Sequence, residues 1–419
     1  MEKNKIALIL LLWCACGPLK AQIYSLKDLE VHFLENNTAL IANKYNISKA
    51  DAEIVQEKLW PNPNLAITDI NLWKNDTADE QPYLFGKFGR YQQISFELQQ
   101  LIETAGKRKK RISMKELSKQ SALYDYEELM RALKKELRLS YYALERIHRE
   151  ELQLITMIDL FERLNAQYER QSALLNVRKA DYFRIQTELL GLQKEQVELE
   201  NAKHDALTNL RVLTNLYHLD SEQVYFSTSS LLLTSLLPND LVELATTLNI
   251  DLLRQENEVN RSKGQLALEI AERTPNVTFQ LNYDRADNIM KNFLGIGASM
   301  DIPVFNRNKG NIKAAGYEME VQKHTQRALQ SQLEQEIQKL LNQIHRIEAS
   351  LVNWPNKQME EQVLMIERYK KYLQNREVTL MEFIDFTQSY REAIQAYLQL
   401  QETYHQVFEE LQYNVGKDF

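Results

Sequence analysis

Histidines could ligate a metal if two shared a helix face four residues apart, and could move a proton beside a carboxylate. The seven here are His32, His148, His204, His218, His324, His345 and His405, and none lies within four residues of another. The two cysteines, Cys14 and Cys16, fall in the first 21 residues. No Gly-Lys-Ser/Thr phosphate loop and no Gly-x-Ser-x-Gly elbow occurs. Carboxylates are numerous but fall on the polar faces of amphipathic segments, where they read as solvated surface. The expectation is therefore no catalytic residue, no cofactor and no metal site. Glu97, Gln280 and Asp301 stand apart, on the polar side of segments whose apolar residues alternate. Inside a pore, Glu97 and Asp301 would favour cations, as acidic rings do; a charge at a barrel rim is the equal alternative.

Four short segments have this two-residue period, at about 64–73, 90–102, 275–285 and 292–303. Ile94, Phe96 and Leu98 alternate with Gln93, Ser95 and Glu97; Phe279, Leu281 and Tyr283 alternate with Thr278, Gln280, Asn282 and Asp284. Leu294, Ile296, Ala298, Met300 and Ile302 alternate with Gly295, Gly297, Ser299 and Asp301. The first segment alternates less cleanly, Ile70 and Leu72 against Asp69 and Asn71. Ten-residue stretches with one apolar and one polar face fit membrane barrel strands, and also fit a soluble antiparallel sheet with one wet face.

The rest reads as long helix. From Lys107 to Leu237 there is no proline and only Gly191. Leu129, Leu133, Leu137, Tyr141, Leu144 and Ile147 recur at three- and four-residue steps, as do Ile337, Leu341, Ile344, Ile347 and Leu351. A helix over 107–170 would be roughly 95 Å long, and Trp354-Pro355 should kink or unwind its later counterpart.

The chain also repeats itself. Asn37 falls on Asn249, Leu40 on Leu252, Pro63 on Pro275 and Asn64 on Asn276, 212 residues apart (249 − 37). A second block aligns at 204 (302 − 98), with Leu98 on Ile302, Leu101 on Phe305 and Gly106 on Gly310. The shorter offset implies a longer loop in the first copy, within 74–89, than in the second, at 285–291. The domain reading is a first repeat over 22–218, a connector at 219–236 and a second repeat over 237–416, each ordered helix, strand, strand, long helix.

Residues 1–21 read as a secretory signal: Lys3 and Lys5, then apolar Ile6 to Trp13, then Leu19-Lys20-Ala21 before Gln22. A lipid anchor would need Cys16 at the mature N-terminus, and Trp13 fits poorly before it. Cleavage after Ala21 removes a net +2, takes the charge from −7 to −9, and leaves no cysteine. An acidic chain with no basic stripe is not a nucleic-acid binder. No later stretch is apolar enough for a transmembrane helix, so any membrane passage must use strands closed into a barrel.

This layout resembles the TolC-like outer-membrane efflux channels over about 25–416. The resemblance rests on the duplication, the Pro-Asn-aliphatic lead-in to the first strand of each copy, and the glycine opening each long helix. TAGKRKKR, Thr104 to Arg111, is similar to a segment of the branch that pairs with heavy-metal pumps. The resemblance implies a mainly α fold with a small β part: four strands per chain in a trimeric, twelve-stranded transmembrane barrel, and long hairpins in a periplasmic α-barrel. It implies shorter helices at about 26–58, 178–217, 240–272 and 380–414, and hairpin turns at Leu174–Arg178 and Asn375–Thr379. Where the family often has glycine at these turns, this chain offers Asn176 and Asn375, the next-best residue for a left-handed backbone. ADYFRIQTEL and MEFIDFTQSY then match, Asp181 over Glu382. The implied activity is a passive exit duct in the outer membrane of a Gram-negative cell, with a periplasmic extension. Its implied partners are two further copies (a homotrimer), outer-membrane lipid, a periplasmic adaptor and an inner-membrane RND-type pump. Asn176, Val177, Arg178, Asn375, Val378 and Thr379 are the expected adaptor-docking residues. Heavy-metal cations lead as cargo, ahead of drugs and secreted polypeptides. The rival of another class is a periplasmic coiled-coil scaffold or adaptor.

Overall fold

The computed structural model describes residues 23–71, 73, 80–86, 88–226, 232–286, 290–353 and 356–419. The expected signal, Cys14, Cys16, Leu72, residues 74–79 and Trp354-Pro355 lie outside them, as do 227–231 of the connector.

The helices are α1 (Leu26–Asn36), α2 (Thr38–Glu57), α3 (Lys107–Ala173), α4 (Lys179–Thr214), α5 (Leu241–Leu248), α6 (Ile250–Ala271), α7 (Lys309–Val352), α8 (Asn356–Gln374) and α9 (Leu380–Val415). The strands are β1 (Asn64–Thr68), β2 (Ser95–Ile102), β3 (Val277–Ala286) and β4 (Lys291–Met300). The fold is thus mainly α with one small sheet. α3 runs unbroken for 67 residues, as a stretch without proline allows.

Two expected single helices are each divided at an asparagine, and the reason is the same in both copies. Asn37 and Asn249 leave helical geometry (ψ 117° and 124°) while their backbone N–H still bonds the preceding helix. Their side-chain amides donate to the carbonyls of Leu213, at 2.9 Å, and Asn414, at 2.7 Å. Both asparagines are nearly inaccessible, at 4% and 6% exposed, so these bonds satisfy carbonyls near helix C-termini that have no intrahelical donor. Just beyond, Asn215 and Gly416 adopt left-handed backbone. At Gly416 a Cβ would lie 2.3 Å from the Leu248 carbonyl oxygen, which leaves room only for glycine.

The chain divides into two compact units that cut across both repeats. One comprises Asn43–Glu127 and Ile250–Ser331 and holds the sheet. Its strands form an antiparallel sheet in the order β1-β2-β3-β4. β1 is shorter than the expected 64–73, because Asp69 turns to a left-handed φ of 52° and takes the backbone off the ladder. β2 begins at Ser95, not 90, and β4 ends at Met300, not 303. Asp301 therefore follows β4 instead of lying in it. The 204-residue alignment is also corrected: it sets Leu98, inside β2, over Ile302, beyond β4. The difference in loop length stands, with 69–94 joining β1 to β2 and 287–290 joining β3 to β4.

The other unit comprises Met1–Ala42, Glu128–Asn249 and Gln332–Phe419, and holds the hairpins. Its core draws Leu154, Met157 and Phe161 from α3, Ile185 and Leu192 from α4, Ile366 and Leu373 from α8, and Phe383, Ile394 and Leu398 from α9. Ion pairs tie α3 to α1 and α9. Arg138 bridges Glu30 and Glu409, at 2.6 and 2.7 Å. Arg146 bridges Glu150 and Glu402, at 2.7 and 2.5 Å.

Candidate functional site

The sheet has two chemically distinct faces, set by register. Residues directly opposite across an antiparallel pair share a face. Leu65 pairs with Leu98, Leu98 with Leu281 and Leu281 with Ile296. Ile67, Phe96, Tyr283 and Leu294 form a parallel row, and Gln100, Phe279 and Ala298 another. This face is apolar and open: Leu65 is 61% exposed, Leu294 65% and Ile296 85%. A contiguous exposed apolar surface marks contact with lipid or a partner.

The opposite face carries Glu97, Gln99, Gln280, Asn282, Asp284 and Ser299, again by register. Gln99 donates to Glu97 at 2.7 Å, and Ser95 and Gln93 donate to Asp284 at 3.0 and 2.8 Å. Glu97 and Gln280 thus lie on the polar face together. The outer edges of β1 and β4 have no strand partner within the sheet, a condition that lipid does not tolerate.

The basic string proves to be a fastening of this unit. Lys107 is 2% exposed. Its Nζ donates to the Thr274 carbonyl at 2.7 Å and to Asn276 Oδ1 at 2.8 Å, with Glu272 at 3.2 Å. Arg108 donates to the Lys58 carbonyl and lies over Trp60 at 4.5 Å. Arg111 pairs with Glu57 and Glu103, Lys115 with Glu53 and Lys119 with Asp51. The Gly-Lys motif of the first copy and the Pro-Asn motif of the second therefore meet at one junction.

In the helical unit, both hairpin turns fall where expected and share one geometry. α3 ends at Ala173 and α4 starts at Lys179; α8 ends at Gln374 and α9 starts at Leu380. Leu175 and Arg376 each take φ 62°. The N–H of the next residue reaches back to the helix, Asn176 to the Gln171 carbonyl at 2.9 Å and Glu377 to Tyr372 at 2.8 Å. These are Schellman ends. The left-handed residues are thus Leu175 and Arg376, not Asn176 and Asn375. The asparagine amides instead bond Gln171 Oε1 at 2.9 Å and Glu377 Oε1 at 3.0 Å.

The other expected tip residues open the return helices. Thr379 forms a capping box with Glu382, whose Oε2 accepts from its N–H at 2.7 Å; these bonds hold the exposed Glu382 carboxyl below its ordinary range. Arg178 caps nothing with its side chain and pairs with Asp181 at 3.0 Å. Val177 is half-buried, and Val378 packs on the core cluster. Leu174 and Leu175, at 67% and 91% exposed, were missed. The 201-residue match of the return segments (382 − 181) located the turns, but residue type gave no signal for a left-handed leucine.

Among the described residues, no three His, Cys, Asp or Glu side chains come together to hold a metal, and no helix is long and apolar enough to cross a membrane. No protein-family model and no curated protein matches the chain. Solved structures do. The outer-membrane channel CmeC of Campylobacter jejuni matches at 14% identity over 93% of this chain and 85% of its own, TM-score 0.76. The outer-membrane protein VceC of Vibrio cholerae matches at 12% identity over 94% and 96%, TM-score 0.73. CusC, solved in connection with folding and transmembrane channel formation, matches at 14% identity over 94% and 92%, TM-score 0.74. At such identities the likeness is one of fold, and the chain has the fold of these channels.

Proposed function

We propose that this chain belongs to the TolC-like family and is the outer-membrane exit duct of a tripartite efflux system. Three copies would join their four-stranded sheets, β1 of one to β4 of the next, into a twelve-stranded barrel, with the hairpins in the periplasm. The observation that carries this reading is the sheet: an apolar face open along all four strands, backed by a polar face that would line a lumen. Four strands are too few to close a barrel, so edge pairing between copies satisfies the free ladders. The duct is passive and performs no catalysis; energy would come from an inner-membrane pump, coupled through an adaptor at the hairpin turns. Bundled helices have discrete packings, so opening would be a population shift that the adaptor drives.

Small solutes are the cargo class. Heavy-metal cations rest on the resemblance of 104–111, whose Lys107, Arg108 and Arg111 are engaged at the sheet junction; drugs and other organics are the alternative. The test expresses the chain in an efflux-deficient host and measures outer-membrane trimer alongside metal and drug resistance, for the parent, Val177→Asp and Thr379→Arg. The expected result is normal trimer with resistance lost in both variants. Full resistance in both would move the docking site elsewhere, and a soluble, monomeric parent would overturn the duct.

A further inference from the structure

The two hairpins copy one another at a spacing of 201 residues. Leu175 and Arg376 share left-handed backbone at the turns, and Asn215 and Gly416 (416 − 215) share it at the far ends of α4 and α9. Every residue of α4 therefore has a counterpart on α9. Within the chain, α9 meets α4 through Arg391, which donates to Glu195 and Glu188 at 2.7 Å each. At the same spacing, the counterpart of Arg391 is Leu190 on α4, and those of Glu188 and Glu195 are Ser389 and Ala396 on α9.

This counterpart contact is not made inside one chain. Leu190 is 67% exposed, flanked at seven-residue steps by Phe183 at 52% and Val197 at 57%. Their counterparts on α9, Ile384 and Leu398, are packed in or against the core. Ser389, Ala396 and Thr403 are all exposed and recur on α9 at the same seven-residue step. Apolar side chains at a seven-residue repeat form a helix-packing seam, and a row of small residues leaves the hollows that such knobs fill.

We infer that the Phe183–Leu190–Val197 stripe of α4 docks on the Ser389–Ala396–Thr403 stripe of α9 in a second copy of this chain. The contact between copies would repeat the α9-on-α4 contact that each chain makes within itself. Such a contact is heterologous, and successive copies close a ring. The two seams differ in chemistry: the one within the chain sets the Arg391 ion pairs beside the buried apolar cluster, whereas the stripes proposed to meet between copies carry no charge. The inference rests on the exit-duct reading for the presence of neighbouring copies.

Disulfide trapping tests it, since the chain from Gln22 onward has no cysteine. The mature protein carrying Leu190→Cys with Ala396→Cys, oxidised with copper phenanthroline, should run mostly as cross-linked dimer and trimer on non-reducing gels. Each single variant should stay monomeric there. Val197→Cys with Thr403→Cys is a second pair, in case the first disturbs folding. The mass of each sample in detergent separates the two claims. A trimer in which neither pair links between chains overturns the seam and leaves the duct reading intact; a monomer overturns both.

Discussion

Leu175 holds a conformation that disfavours any residue with a Cβ, by about 1–2 kcal/mol, and presents its side chain almost wholly to solvent. The hydrogen bonds of the Schellman end offset the backbone strain, but the exposed leucine side chain gains nothing from the fold of one chain. Local strain with an exposed apolar side chain suggests a role for the side chain at the turn. Leu175→Gly should therefore raise the thermal midpoint of the purified protein, by relief of about 1 kcal/mol, while reducing efflux-dependent resistance. A variant both more stable and fully active would show that Leu175 has no partner. Arg376 holds the equivalent position on the other turn with a charge, so the two tips offer different chemistry on one backbone.

Between helices, burial of ionisable side chains makes the packing sensitive to pH. His405 on α9 stacks on Tyr142 of α3 at 4.2 Å. Burial, aided by the Arg149 charge, lowers its pKa from 6.5 to about 4. The folded state thus favours neutral imidazole. The stabilisation is complete above about pH 6.5 and is lost as pH falls through about 4, by up to roughly 3 kcal/mol. Burial raises the carboxyls of nearby Glu145 and Glu409, which act in the opposite direction. His405→Gln isolates the imidazole: from pH 7 to 5 the parent's thermal midpoint should fall more steeply than the variant's. Parallel profiles would contradict the assignment. The neighbouring Arg138, between Glu30 and Glu409, keeps those carboxylates paired, since an unpaired charge at that depth is strongly destabilising.

At the scale of the whole molecule, the sheet is where the exit-duct proposal is tested. Ile296 and Ser299 lie three residues apart on β4, on opposite faces. Ile296→Arg should cost about 2–4 kcal/mol at mid-membrane depth and impair insertion, whereas Ser299→Arg should assemble. Outer-membrane trimer yield measures both, and equal yields would remove the lipid-facing assignment. The comparison is sharp because both residues share a strand and differ only in the face they occupy.

What the sequence determined by itself is whatever short-range rules control. A two-residue period against a three-to-four-residue period separated strands from helices, and the lack of proline forecast α3; the two hairpin turns came from the family resemblance and fell where it placed them. The alternation placed Glu97 and Gln280 on the polar face and Ile296 opposite, because side-chain direction in a strand follows from parity alone. Tertiary structure decided the rest, because it depends on neighbours far along the chain. Lys107 was legible as part of a basic string, but that the carbonyl of Thr274 and Asn276 Oδ1 close around its ammonium was not. Asn37 and Asn249 were visible as a repeat, but their purpose is set by carbonyls at Leu213 and Asn414. The left-handed turn positions passed to Leu175 and Arg376 because the ends of α3 and α8, not residue preference, fix which peptide must reverse. α4 and α9 share a sequence pattern, yet only α9 has its stripe covered, since a helix face is buried by what the fold brings against it.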